Sequence, residues 1–305
     1  MQRPEFSTMC TQSADWFMQL QNQICTALEN ADGKAKFKED NWTREEGGGG
    51  KTRVIQNGNI LEKGGVNFSE VWGKLPAFMA GRESVLETDL FYATGISIVL
   101  HPKSPMQPII HMNTRYFETS SGKHWFGGGI DLTPHYINPD NARFFHTELK
   151  KVCDQFSTAY YPKFKNWADD YFFIPHRNET RGIGGIFFDN LSETADYSKQ
   201  QRFNFVQAVG SAFVPIYIAI LENNKSLAFG SREEQWQKLR RGRYVEFNLV
   251  YDKGTRFGLE TNGRIESILM SLPPQANWEY ALVPEAGSAE QSTQSLLVKG
   301  FDWAS

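Results

Sequence analysis

Three stretches near the middle of the chain decide its fold class: TGISIVL (94–100), IIHMNTRYFE (109–118) and HWFGGGIDL (124–132). Each is rich in β-branched and aromatic residues and reads as a strand. A loop punctuated by Pro102, Pro105 and Pro108 joins the first two, and three glycines interrupt the third. Further along, GGIFF (184–188) reads as another strand. Toward the N-terminus, extended segments at 53–61 and 66–72 lie among the turn signals Asn57-Gly58 and Gly64-Gly65. Toward the C-terminus, 244–251, 256–260 and 265–270 read as strands, with Asp252-Lys253-Gly254 and Asn262-Gly263 as their turns. Strands joined by short turns, rather than by alternating helices, predict a mainly antiparallel sheet.

Helical spacing appears between these groups. Trp16, Leu20, Ile24 and Leu28 recur every fourth residue and predict a helix over 13–30. Phe145, Leu149, Val152 and Phe156 keep one face of a helix, and Pro162 opens a second before 173. Residues 199–221 read as helix, and Ser231-Arg232-Glu233-Glu234 forms a capping box for one reaching about Arg240. Such helices must cover the sheet, which predicts a single α+β domain with helices on both faces. The expected organisation is an irregular N-terminus over 1–12 and one domain over 13–305.

Composition narrows the function. A net charge of -3 over 305 residues leaves no global basic field for nucleic acid or anionic membrane. An anionic ligand would need local arginines and lysines. Cys10, Cys25 and Cys153 are scattered, which fits structural thiols in a reducing compartment. No secretory signal is visible, so a cytoplasmic location is expected. The run AVGSAFVPIYIAIL (208–221) is short for a membrane span and reads as a buried helix.

Several motifs have an ordinary reading beside a functional one. GGGGKT (47–52) imitates a phosphate-binding loop, but the pattern needs Gly at position 45, which is Glu45; a flexible loop or lid is the alternative. His101, His111, His146 and His176 offer imidazoles for a metal, without paired spacing; buried or substrate-facing histidines are the other reading. Arg240, Arg241 and Arg243 fit a solvated helix end or an internal salt-bridge network better than a phosphate-binding patch. The glycines of FGGGID (126–131) weaken a strand, so they mark either a bulge or close approach of a flat ligand beside Asp131.

Six segments together are similar to the oxygen-dependent coproporphyrinogen III oxidase family. They are TGISIVLHPKSP (94–105), IIHMNTRYFE (109–118), WFGGGIDLTP (125–134), HRNETRGIGGIFFDNL (176–191), RRGRYVEFNLVYDKGTRFGLETNGRIESILMSLPP (240–274) and WEY (278–280). The resemblance runs from about Ala14 to Trp303. It implies a large antiparallel sheet with helices on both faces. It also implies oxidative decarboxylation of the ring A and B propionates of coproporphyrinogen III to vinyls. The products would be protoporphyrinogen IX, CO2 and reduced oxygen, a step of haem synthesis.

The resemblance places substrate contacts at Ser97, Asn113, Thr114, Arg115, Asn262, Gly263 and Arg264. The arginine forks suit propionate carboxylates. It makes Asp252 and Asp131 the candidates for accepting pyrrole N–H groups, and His111 a candidate proton donor. No cofactor is required beyond O2 as co-substrate, and metal binding by the four histidines is a minority reading. A homodimer is expected through about 244–279 and 46–55. Two departures stand out: Lys253 replaces the usual Arg of the Y-D-R-G turn, and Asp189-Asn190 replaces an Asp pair. The rival function is a non-catalytic tetrapyrrole carrier, which gains little from two carboxylates at the ring centre.

Overall fold

The computed structural model describes residues 4–75, 86, 88–260 and 263–305. Seven strands form one antiparallel sheet in the order β1-β2-β3-β4-β5-β6-β9. They are β1 (Lys38–Thr43), β2 (Gly48–Gln56), β3 (Leu61–Lys74), β4 (Leu90–Pro102), β5 (Ile109–Thr119), β6 (His124–Thr133) and β9 (Gly185–Leu191). The first six form a plain meander. The chain then leaves through α2 (Pro139–Asp154) and α3 (Tyr160–Tyr171) and makes the small ribbon β7 (Phe173–Ile174) and β8 (Glu179–Thr180). It returns as β9 beside β6.

A strand turns successive side chains to opposite faces, and the central strands use this cleanly. Ile96, Ile98 and Leu100 of β4, Ile110, Met112 and Tyr116 of β5, and Phe126, Ile130 and Leu132 of β6 are all 1% exposed or less. They share one core with α1 (Thr8–Asp32), α2 and α4 (Lys199–Asn224). Each large apolar side chain so buried contributes roughly 1.5–3 kcal/mol. From α1, Phe17, Leu20, Ile24 and Leu28 enter this core at helical spacing. By length and composition α4 could cross a membrane, but here Phe205, Val209, Phe213 and Ile220 are buried in the same core.

The odd-numbered positions of these strands face the other way, toward the C-terminal helices. Val99 and Ile109 pack against Tyr244 of α5 (Ser231–Val250). Beyond it lie α6 (Lys253–Glu260), α7 (Ile265–Leu269) and, later, α8 (Ala289–Ser295). The segment around α7 is tied down on β2–β4: Ser267 O accepts from Asn67, Ser271 O pairs with His101, and Leu272 O accepts from Lys63. Met270 fills the space that a side chain at Gly65 would need.

Four local expectations are corrected. The segments 244–251, 256–260 and 265–270 are not strands; they fall in α5, at its end, and in α6 and α7. The first helix starts at Thr8, inside the stretch expected to be irregular. GGGGKT is no loop: Gly48, Gly49, Gly50, Lys51 and Thr52 are β2, and the Trp42 ring lies where a Gly50 side chain would go. The helix α5 is capped one residue early, with Glu233 accepting the Gly230 N–H, and it continues ten residues past Arg240 to Val250.

Candidate active site

On the odd face the register stacks polar residues in rows. One row reads Thr52, Asn67, Ser97, Asn113, Gly129 and Phe187 across β2, β3, β4, β5, β6 and β9. The next contains Val99, His111 and Asp131, and on the other side lie Gly95, Arg115 and Gly127. Antiparallel register therefore brings Ser97, His111, Asn113 and Arg115 onto one surface. Arg115 donates to Asn113 Oδ1 at 2.9 Å and pairs with Asp189 at 2.9 Å.

His111 and Asp131 are cross-strand partners, 2.8 Å apart from Nδ1 to Oδ1. Asp131 is 1% exposed and also accepts from Arg181 Nη2, at 2.8 Å to each carboxylate oxygen. The Arg181 Nη1 donates to Asn248 of α5 at 2.9 Å. Its guanidinium lies 4.4–4.8 Å from the centroids of Phe172, Tyr244 and Phe247. Burial alone would raise the Asp131 carboxyl, but the Arg181 charge and the His111 hydrogen bond hold it below the ordinary carboxylate range. An ionised carboxylate only accepts, so the His111 Nδ1 carries the proton and its Nε2 is the atom left for chemistry.

Asp252 sits between α5 and α6 and has a structural role of its own. Its Oδ2 accepts the Thr255 N–H at 2.7 Å, capping α6. Its Oδ1 accepts the Tyr171 hydroxyl at 2.9 Å. The Tyr171 ring stacks on Phe187, 4.1 Å between centroids and 14° between planes, which ties Asp252 to the Gly129 row.

The coproporphyrinogen III oxidase family model matches residues 12–303. The chain belongs to that family. It is therefore an oxidoreductase of haem and porphyrin biosynthesis acting on a coproporphyrinogen. Of the residues expected from the resemblance, the fold brings His111, Asp131, Ser97, Asn113 and Arg115 together and holds Asp252 near them through Tyr171 and Phe187.

Others fall elsewhere. Thr114 points into the core, 0% exposed, so its side chain is on the wrong face for substrate. Its Oγ1 has no partner there. Thr114→Val is accordingly expected to leave turnover unchanged and to hold or raise stability by up to about 1 kcal/mol. A large activity loss in a folded variant would return Thr114 to the site. Arg264 pairs with Asp40 on β1, four strands away from β5. The Gly263 N–H bonds Gly258 O, and Asn262 lies outside the described residues.

The four histidines each have their own partners. His101 faces Ser271 O, His146 bonds the Tyr161 hydroxyl and Ile183 O, and His176 bonds Tyr251 and Glu246. Among the described residues no group of three or more His, Cys, Asp or Glu is placed to hold a metal. Burial lowers His101 to about 3 and His146 to about 4. In the unfolded chain both take up a proton near pH 6.5. Their stabilising effect is therefore complete above pH 6.5 and drains as pH falls toward 4, at about 1.4 kcal/mol per pH unit for each. Urea midpoints measured from pH 8 to 5 should be level above pH 7 and then fall; an unchanged midpoint at pH 5 would contradict this.

The glycines of β6 prove to be spaced by protein groups. A side chain at Gly127 would meet Arg115 and Asp189, one at Gly128 the Phe188 ring, and one at Gly129 Phe187 and Ile186 O. The β6–β9 register also shifts between Phe126 and Gly128, with the additional residue on β9 rather than among the glycines. Arg181, Asn248 and Tyr171 went unremarked as site residues, and Asp189 was named only as a departure from the family's Asp pair. Arg181 lay inside a quoted segment, HRNETRGIGGIFFDNL, but only the fold shows that it reaches Asp131.

Proposed function

We propose that this family member uses O2 to convert the ring A and B propionates of coproporphyrinogen III to vinyl groups, without a redox cofactor. The observation that carries the reading is the His111–Asp131–Arg181 set on the same face as Asn113 and Arg115. Arg115 offers a fork for a propionate carboxylate, in exchange with Asp189. For each propionate, one β-hydrogen leaves with its electron pair as the carboxylate departs as CO2. Those two electrons, that hydrogen and one further proton reduce O2 to H2O2. The electron-rich macrocycle can pass electrons to O2 once a pyrrole N–H is deprotonated, so the protein's share is proton handling and electrostatics.

In this reading Asp252 accepts pyrrole N–H groups. Asp131 acts through His111 instead, because it is 1% exposed and held against the Arg181 guanidinium. His111 Nε2 exchanges the proton or orients a propionate. The enzyme works as a homodimer through helices rather than strands at 244–279, where Leu249, Val250, Leu259, Ile265 and Trp278 are exposed apolar residues. Sedimentation at micromolar concentration giving a monomeric mass would refute that assembly.

The decisive assay mixes EDTA-treated protein with coproporphyrinogen III anaerobically, then admits air, and separates the oxidised porphyrins. Protoporphyrin formed only after air, at a rate indifferent to EDTA, is expected. Product formed without air would overturn O2 as acceptor. Activity that returns only with one added metal would move the histidines to the centre of the mechanism.

A further inference from the structure

We propose that Tyr171 is a positioning residue for Asp252, fixing its second carboxylate oxygen and aiming it at the substrate face. This rests on the role given to Asp252 above. Asp252 would otherwise be an ordinary helix cap: one oxygen takes the Thr255 N–H, and Asn or Ser would serve as well. A cap does not need its second oxygen fixed. Here the Tyr171 hydroxyl donates to that oxygen at 2.9 Å and itself accepts the Lys253 N–H at 3.2 Å. The phenol is thus used as donor and acceptor, with little freedom to turn away.

The ring is anchored independently of the hydroxyl. It stacks on Phe187 at 4.1 Å and meets Phe172 edge-on at 5.0 Å. Phe172 carries the Arg181 guanidinium on its face and lies 6.2 Å from the His111 ring. One aromatic block therefore fixes the distance between Asp252 and the His111–Asp131 pair. The charged and titratable groups around Asp252 are Tyr171 from α3, Lys253 at the start of α6 and, deeper, Arg181 with Tyr244. Burial and the nearby Asp252 charge both raise the Tyr171 phenol above its usual range, so it stays a donor at working pH.

Removing the hydroxyl while keeping the ring gives the test. Tyr171→Phe keeps the ring and its stack and deletes the hydroxyl, with its bonds to Asp252 and to the Lys253 N–H. Its kcat is expected to fall about tenfold with KM changed less than about twofold. Tyr171→Leu, which removes the stack too, should be worse than Phe.

Asp252→Asn is measured beside it. If Asp252→Asn is inactive while Tyr171→Phe keeps the wild-type kcat and KM, the Tyr171 proposal falls alone. If Asp252→Asn is fully active, the role of Asp252 falls and takes this one with it.

Discussion

Replacing Arg181 by Leu should cost about 3–5 kcal/mol of folding stability, the largest single effect expected on the fold. The reason is the Asp131 carboxylate, 1% exposed, which the guanidinium neutralises with two hydrogen bonds of 2.8 Å. Leu fills much of the volume and leaves that charge buried without its counter-ion, the costly way to break a buried pair. The loss should also release the tie to Asn248 and uncouple α5 from the sheet. Urea denaturation at pH 8 measures it. A loss under about 1 kcal/mol would mean that Asp131 finds water or another partner. The double variant Arg181→Leu with Asp131→Asn should recover part of the loss, since no charge then remains unpaired.

The largest effect on turnover is expected at Asp252. Asp252→Asn should lower kcat by about 10²–10⁴, the range in which positioned acid–base groups act. Asn caps a helix as well as Asp, so α6 should be kept and thermal stability changed little. Asp252→Ala removes charge and cap together and should cost roughly 1 kcal/mol more. Comparing the two separates chemistry from scaffold. An Asn variant with more than half the wild-type rate would leave Asp252 as a cap and nothing else.

The central sheet was readable because its strands are rich in β-branched and aromatic residues bounded by proline and glycine. Ile96, Ile98 and Leu100 advertise a core face. The strand β1, KEDNWT, was not readable: it is an edge strand with charges on both sides, the usual protection of an open edge. The helix α5 misled for a different reason. Its buried stripe includes Gln237, Arg240, Arg241, Tyr244, Phe247 and Asn248, spaced as a helix requires but half polar. Arg240 is neutralised by Glu179 and Arg241 by Glu62, partners distant in sequence. Without them, YVEFNLVY reads as alternating strand, and its Leu249 and Val250 are in fact exposed. The same pairing bears out the internal salt-bridge reading of the 240–243 cluster.

The site was legible in its residue types but not in its wiring. The resemblance pointed to His111, Asp131 and Asp252, while the residues that hold them, Arg181 and Tyr171, lie 50 and 81 positions away from Asp131 and Asp252. Thr114 shows the opposite failure. It stands between two site residues in sequence, yet the pleat turns it into the core.

That alternation along β5 has a consequence for variation. Adjacent residues there answer to different demands, since Ile110, Met112 and Tyr116 hold up the fold while His111, Asn113 and Arg115 lie on the face of the proposed site. In a library of single substitutions scored separately for cellular protein level and for haem-dependent growth, the two scores should alternate residue by residue. Positions 110, 112 and 116 would lose abundance, and positions 111, 113 and 115 would keep abundance and lose growth. Demands of stability and of turnover are thus interleaved at single-residue spacing. A change on the second set needs no paired change in the helices behind the first.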